Sequence, residues 1–286
     1  MTRPASPSVD SNACNVATET DVTLHALLRL GCALCFVGHG AWGVMTKAGW
    51  LPFYAVFGVP ASMAWKTMPL VGGVDITLGV LALFRPTRAV LAYMTFWALF
   101  TALLRPLAGM GFWEFLERGG NYGPPFALYL LATASGSRWF GRIDPAPIPR
   151  EASLRAAWAL RVSIACLLIG HGGLVGIQAK RVFVEHFHAI GIAATETLLR
   201  GFGALEIAAG LAVLLRPSRW LLLCVTFWKL ATELLYPIAG SARDVWEWIE
   251  RGGDYVAPLA LICLLFGANI DGFSRLRRLP PKRVVY

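Results

Sequence analysis

The sequence predicts an all-α integral membrane protein of about eight transmembrane helices, arranged as two parallel, pseudo-twofold-related four-helix bundles. Three observations predict it. Of 286 residues, 56% are hydrophobic and only 15% charged, where a soluble domain carries about a quarter charged residues. The apolar residues cluster in eight runs, and mean hydropathy is +0.57. The second half of the chain repeats the first.

The runs fall near 24–46, 67–84, 89–107, 124–140, 157–178, 199–215, 219–238 and 256–273. A spanning helix needs about 20 residues, and the even-numbered runs are the short ones. Pro124, Pro125 and Pro258 stand at the starts of two of them, where proline is tolerated. The stretch 1–23 is polar and lacks the apolar core of a cleaved signal peptide. A Pro- and Arg-rich linker at 141–156 separates the repeats 24–140 and 157–273, and a basic tail closes the chain at 274–286.

Orientation follows from Lys and Arg. The N-terminus, the linker, the tail and the two Arg-Pro turns hold 16 of the 26 basic residues. Both termini are therefore expected in the cytoplasm, in a cell inner membrane. The opposite loops hold Glu114, Glu117, Glu185, Glu196, Asp244, Glu247, Glu250 and Asp254, and read as an acidic, Trp-rich outer face. The net charge of +9 fits cytoplasmic anchoring against lipid. No aromatic–basic RNA motif or basic recognition helix accompanies it, so nucleic acid is not an expected partner. The six cysteines lie mostly inside apolar runs and do not form a disulfide framework by position. Cys32 and Cys35, three apart in the first run, read as core residues.

The repeat is collinear. Gly38-His39-Gly40 returns as Gly170-His171-Gly172, Asp75 as Glu206, and Arg85-Pro86 as Arg216-Pro217. Thr95-Phe96-Trp97 returns as Thr226-Phe227-Trp228, and Glu117-Arg118-Gly119-Gly120 as Glu250-Arg251-Gly252-Gly253. An even number of helices per unit points both copies the same way, about an axis along the membrane normal.

Ionisable groups inside a bilayer mark sites by default. His39 and Asp75 each lie about seven residues from the outer end of their helices, about 10 Å deep, and His171 with Glu206 repeats the arrangement. Each unit thus offers a His and a carboxylate at one depth. Such a pair can lock two helices, relay a proton, or hydrogen-bond a quinone carbonyl. Haem held by His39 and His171 as a bis-histidine pair is the weakest of these readings. Lys229 and Glu233, one turn apart, replace Ala98 and Ala102 of the first unit and can pair. Glu185, His186 and His188, in the outer loop before the sixth run, offer three metal-binding side chains, or an amphipathic segment at the interface. The flanking glycines suit close helix packing. Glu114, Glu117 and Arg118, with Glu247, Glu250 and Arg251, belong to aromatic segments ending in Gly-Gly. They read as interfacial helices, or as charged groups closing the mouth of a site.

Taken together, the Gly-His-Gly of the first helix, Phe53-Tyr54-Ala55-Val56-Phe57-Gly58-Val59-Pro60, and Gly72, Asp75 and Gly79 of the second helix resemble the DoxX-like family of four-helix membrane proteins. The second unit matches with Gly191-Ile192, Gly203, Glu206 and Gly210. The resemblance implies a membrane subunit of a quinone- or thiol-linked redox system. His171, Glu206, Lys229 and Glu233 are then expected as its reacting groups, and His39 and Asp75 as a related ligand site. A non-enzymatic subunit that docks protein partners through its outer loops is the alternative expectation. A transporter, whose parallel repeats place charges at mid-membrane, is the weaker one.

Overall fold

The computed structural model describes residues 17–267, and all regular structure among them is helical. The stretch 1–16, the end of the eighth run and the basic tail lie outside the described residues. In chain order the helices are α1 (Glu19–Val44), α2 (Leu51–Ala55), α3 (Ala61–Phe84), α4 (Arg88–Leu107), α5 (Phe112–Glu117) and α6 (Gly119–Ala134). The second half repeats them as α7 (Arg150–Gly176), α8 (Arg181–Ala189), α9 (Glu196–Leu215), α10 (Arg219–Glu233), α11 (Leu235–Ala239), α12 (Val245–Glu250) and α13 (Gly252–Phe266).

Local chemistry sets the boundaries. After each Arg-Pro turn a hydroxyl caps the next helix: Thr87 Oγ1 accepts from the Val90 amide and Ser218 Oγ from the Leu221 amide, both at 3.2 Å. A cap of this kind contributes about 1 kcal/mol. Pro149, extended at ψ 141°, starts α7 at Arg150, inside the stretch read from sequence as linker. Pro237 has no N–H to offer the Glu233 carbonyl four residues back, and the seventh run is divided into α10 and α11 there.

Among the described residues, six segments are long and apolar enough to cross a membrane: α1, α3, α4, α7, α9 and the α10–α11 pair. The helices of the fourth and eighth runs, α6 and α13, have 16 and 15 residues. They begin and end earlier than their apolar runs. A single residue, Arg118 in one half and Arg251 in the other, interrupts the helix near φ −81° to −85° and ψ 13° to 14°, the sparsely populated bridge region. The Gly-Gly pair read as a terminal cap opens the next helix instead.

The packing does not divide along the repeat boundary. α1 packs most extensively on α3, and α7 on α9. But α13 packs more on α1 than on α7, α6 packs more on α7 than on α1, and α12 and α5 lie against α1 and α7 respectively. Each half therefore lends its last two helices to the first helix of the other. One core of buried residues runs through both, from Leu24, Leu28 and Met94 to Leu160, Leu168, Leu222 and Leu261. Outside it, α3, α4, α9 and α10 turn large apolar side chains outward, among them Leu70, Phe96, Leu215 and Phe227. An apolar outer surface on helices whose backbone groups pair internally is what a lipid bilayer environment requires.

Candidate functional site

The Gly-His-Gly repeat assigns one residue to each neighbour. A Cβ at Gly38 would overlap the main chain of Glu250 on α12, and one at Gly170 that of Glu117 on α5. Gly40 and Gly172 meet the second helices at Gly72 and Gly203, again backbone to backbone. Between the two glycines, the histidine projects into a cavity. Small residues thus bring two helices onto α1 and α7 at van der Waals distance, and the imidazole is held where they converge.

The first cavity, of about 260 Å³, is lined by His39, Trp50, Phe53, Phe57, Trp97 and Phe100, with Arg105, Arg118, Asn121 and Glu250 at its inner end. The second, of about 280 Å³, is lined by His171, Phe183, His186, Phe187, Phe202, Glu206 and Trp228, and stops at Thr232 and Leu235. Most of these are repeat partners: Trp50 with Phe183, Phe53 with His186, Tyr54 with Phe187, and Trp97 with Trp228. Even the turn that closes each cavity recurs, with Gly58 at φ +69° and Gly191 at φ +75°, a conformation glycine adopts without steric cost. Both volumes approach the lower end of the roughly 300–1,000 Å³ range of small-molecule sites.

In each cavity a carboxylate fixes the imidazole. His39 Nδ1 lies 2.8 Å from Asp75 Oδ2, and His171 Nδ1 lies 2.6 Å from Glu206 Oε2. A carboxylate only accepts, so Nδ1 carries the proton and Nε2 is left for a ligand. In the neutral ring Nε2 accepts from a hydroxyl. In the imidazolium, stabilised by the carboxylate, it donates to a carbonyl. The halves differ in the longer acid. Glu206 also accepts from Trp228 Nε1 at 2.7 Å, whereas the enclosed Trp97 Nε1 has no partner among the described residues. The rings are braced differently as well. His39 stacks on Trp50 at 4.4 Å, and His171 meets the edge of Phe183 at 4.7 Å.

Beneath the cavities lies an ion network that crosses between the halves. Lys47, just after α1, pairs with Glu247 on α12, and its repeat partner Lys180 pairs with Glu114 on α5. Arg118 Nη1 lies 3.2 Å from Glu250 Oε1, and Arg251 Nη2 lies 3.8 Å from Glu117 Oε1. Arg251 also holds Glu247 at 2.6 Å, Glu233 at 2.9 Å and the Tyr236 hydroxyl at 2.9 Å. Burial alone would raise the carboxyls of Glu117 and Glu247. The cations outweigh it and hold both well below the usual carboxylate range: Arg118, Arg251 and Arg105 for Glu117, Arg251 and Lys47 for Glu247.

The structure therefore brings His39 to Asp75, His171 to Glu206, and Lys229 to Glu233 at 2.5 Å. Lys229 and Glu233 line neither cavity. They are enclosed against α13, behind the second one. Arg118 and Glu250 reach the first cavity, while Glu114, Glu117, Glu247 and Arg251 belong to the cross-half network. The segments α5 and α12 pack on α7 and α1, the first helices of the opposite halves. Glycine-lined approaches draw them inward, and five of the eight acids expected on an outer face, Glu114, Glu117, Glu247, Glu250 and Asp254, are buried. Glu185, His186 and His188 do not converge. Successive residues of a helix point about 100° apart. Accordingly, Glu185 and His188 are exposed while His186 enters the cavity. Among the described residues, no three His, Cys, Asp or Glu side chains gather as a metal group. His186 packs its ring against Tyr236 at 4.6 Å, and burial lowers its pKa to about 4. The two cavities share no lining residue, so His39 and His171 do not face each other across a common space.

The aromatic walls are what sequence reasoning missed. Their signal was present in the repeat itself, where Trp50, Tyr54 and Trp97 meet aromatic counterparts. The chain matches no protein-family model, no curated protein and no solved structure.

Proposed function

We propose that the protein is a membrane subunit of a redox system, holding a small apolar molecule of the quinone class beside a histidine–carboxylate pair. One observation supports this above the others. The same constellation is built twice: an aromatic-walled cavity with an imidazole whose Nδ1 is fixed by a buried acid and whose Nε2 is free for a ligand. A planar molecule with one carbonyl or hydroxyl needs such stacking walls and a single switchable hydrogen-bonding group. The DoxX-like resemblance points to the same chemistry. On this reading α6 and α13 complete eight crossings, and the basic segments keep both termini on the cytoplasmic side of a cell inner membrane.

The test is gentle purification in detergent, an absorption spectrum and organic extraction. The expected result is a stoichiometric quinone-class molecule. Its retention should fall about 10- to 100-fold in the folded His39→Ala, His171→Ala double variant, the loss in each cavity of one charge-assisted hydrogen bond of about 1.5–3 kcal/mol. A ligand-free extract, or equal retention in the folded variant, overturns it. The cross-half network favours a second, non-catalytic reading, because buried ion pairs that join elements of the two halves can serve as helix locks. A colourless protein that co-purifies stably with other subunits would support that reading.

A further inference from the structure

Three positions of the second half are charged where the first half is neutral: Ala98, Ala102 and Asn121 become Lys229, Glu233 and Asp254. These three side chains are 0, 1 and 1% exposed. Glu233 sits between two cations, Lys229 Nζ at 2.5 Å and Arg251 Nε at 2.9 Å. Asp254 makes no ion pair with a described residue, and its Oδ1 is shut off from solvent without a hydrogen-bond partner among them.

The charged groups nearest Asp254 balance without it, Glu117 and Glu233 against Lys229 and Arg251. Four carboxylates, Glu117, Glu233, Glu247 and Glu250, meet four cations, Lys47, Lys229, Arg118 and Arg251. At the flank, Glu114 takes Arg105 and the more exposed Lys180. The groups that face Asp254 are Glu233 and Lys229 from α10, Glu117 from α5, Arg251 at the α12–α13 joint and Cys35 from α1. From α6 it meets only the close approach at Gly120. A further buried carboxylate in this setting would be uncompensated and short of a donor, an expensive state. A carboxylic acid carries no such charge and brings its own O–H donor.

We propose that Asp254 is a proton-binding site: its carboxyl holds an exchangeable proton inside the second half at neutral pH, coupled through Lys229 to the Glu206–His171 pair of the cavity. Lys229 lies within electrostatic reach of both acids. When the proton leaves Asp254 for solvent, the new negative charge draws on the field of Lys229. Glu206 and His171 then bind protons more tightly. The first half has Asn121 at this position and cannot respond in this way. The inference rests on the ion cluster alone and does not require a quinone in either cavity.

The experiment is infrared spectroscopy of the full-length protein in detergent, unlabelled and labelled with carboxyl-¹³C aspartate. The expected result is a protonated-carboxyl C=O band at neutral pH that moves on aspartate labelling, survives in Asp75→Asn and is lost in Asp254→Asn. If Asp254→Asn fails to fold, a band that survives both Asp75→Asn and Asp21→Asn, the other two buried aspartates among the described residues, assigns it by elimination, and its loss in either overturns the proton site. Absence of a label-sensitive acid band at neutral pH, or its loss in Asp75→Asn, overturns the proton site. The coupling is read by raising the pH until the Asp254 acid band is lost: the imidazole NMR signals of His171 should move together with that loss in the wild type and not over the same range in folded Asp254→Asn. Imidazole signals that do not follow the loss of the band overturn the coupling.

Discussion

In the first half, Ala98 and Ala102 leave space beneath the cavity, which runs inward to Arg118 and Asn121. In the second half, Lys229 and Glu233 fill the equivalent space, and the cavity ends on Thr232 and Leu235. The scaffold around them is the same, from the glycine approaches to the aromatic walls. The comparison teaches that a duplicated bundle can keep its packing and still divide its chemistry, with a few side chains on α10 and α13 setting the difference. It also separates two uses of buried charge. The histidine–acid pairs face cavities, while the arginine–glutamate pairs fasten helix to helix.

Removing one partner of the second half's added pair should break this contrast most forcibly. Lys229→Ala leaves Glu233 buried with Arg251 alone and should cost about 3–5 kcal/mol in unfolding experiments in detergent. Lys229→Ala with Glu233→Ala, which copies the first half, should cost less than the single change. A double variant less stable than Lys229→Ala would show that the pair is not one unit.

A smaller effect should separate the two cavities by pH. The folded-state pKa of His186 lies near 4, against 6.5 for the free group. The unfolded chain therefore binds the extra proton first, and stability is lost as pH falls from about 6.5 to about 4, by on the order of 2 kcal/mol. Phe53 occupies the matching position in the first half and does not titrate. His186→Phe should therefore flatten the stability profile over that window, and an unchanged slope would assign the acid sensitivity elsewhere.

The smallest expected change makes the first half more like the second. Asp75→Glu adds the methylene that lets Glu206 reach Trp228, and should supply the partner that Trp97 Nε1 lacks. A gain of about 0.5–1.5 kcal/mol in thermal unfolding is expected, with a shifted Trp97 indole N–H signal in NMR. Loss of stability would mean that the longer acid does not fit between α3 and α4.

Much of this was legible in the chain. The all-helical character and the His39–Asp75 and His171–Glu206 pairs follow from period and depth, because a costly buried charge must find a partner at its own level, whereas only six of the eight expected spans are long and apolar enough among the described residues. The roles of the glycines were half legible. Close packing could be read, but not that Gly38 and Gly170 receive helices from the opposite half. A repeat looks identical whether its last helices fold back on their own unit or cross to the other, so sequence alone could not choose. For the same reason Glu117, Arg118, Glu250 and Arg251 looked like the rim of an outer face. Only the crossing turns them inward, where each arginine meets an acid of the other half.

That crossing has a consequence for the order of assembly. Arg118 and Glu250 are separated by 132 positions, and Lys47 and Glu247 by 200. Contacts so distant in sequence close late and slowly. While the chain is being made, the site on α1 that receives Glu250 remains empty through the synthesis of every intervening helix. The N-terminal half therefore enters the bilayer as an open platform. Its centre is completed by α12 and α13, so membrane insertion and final folding are separated in time.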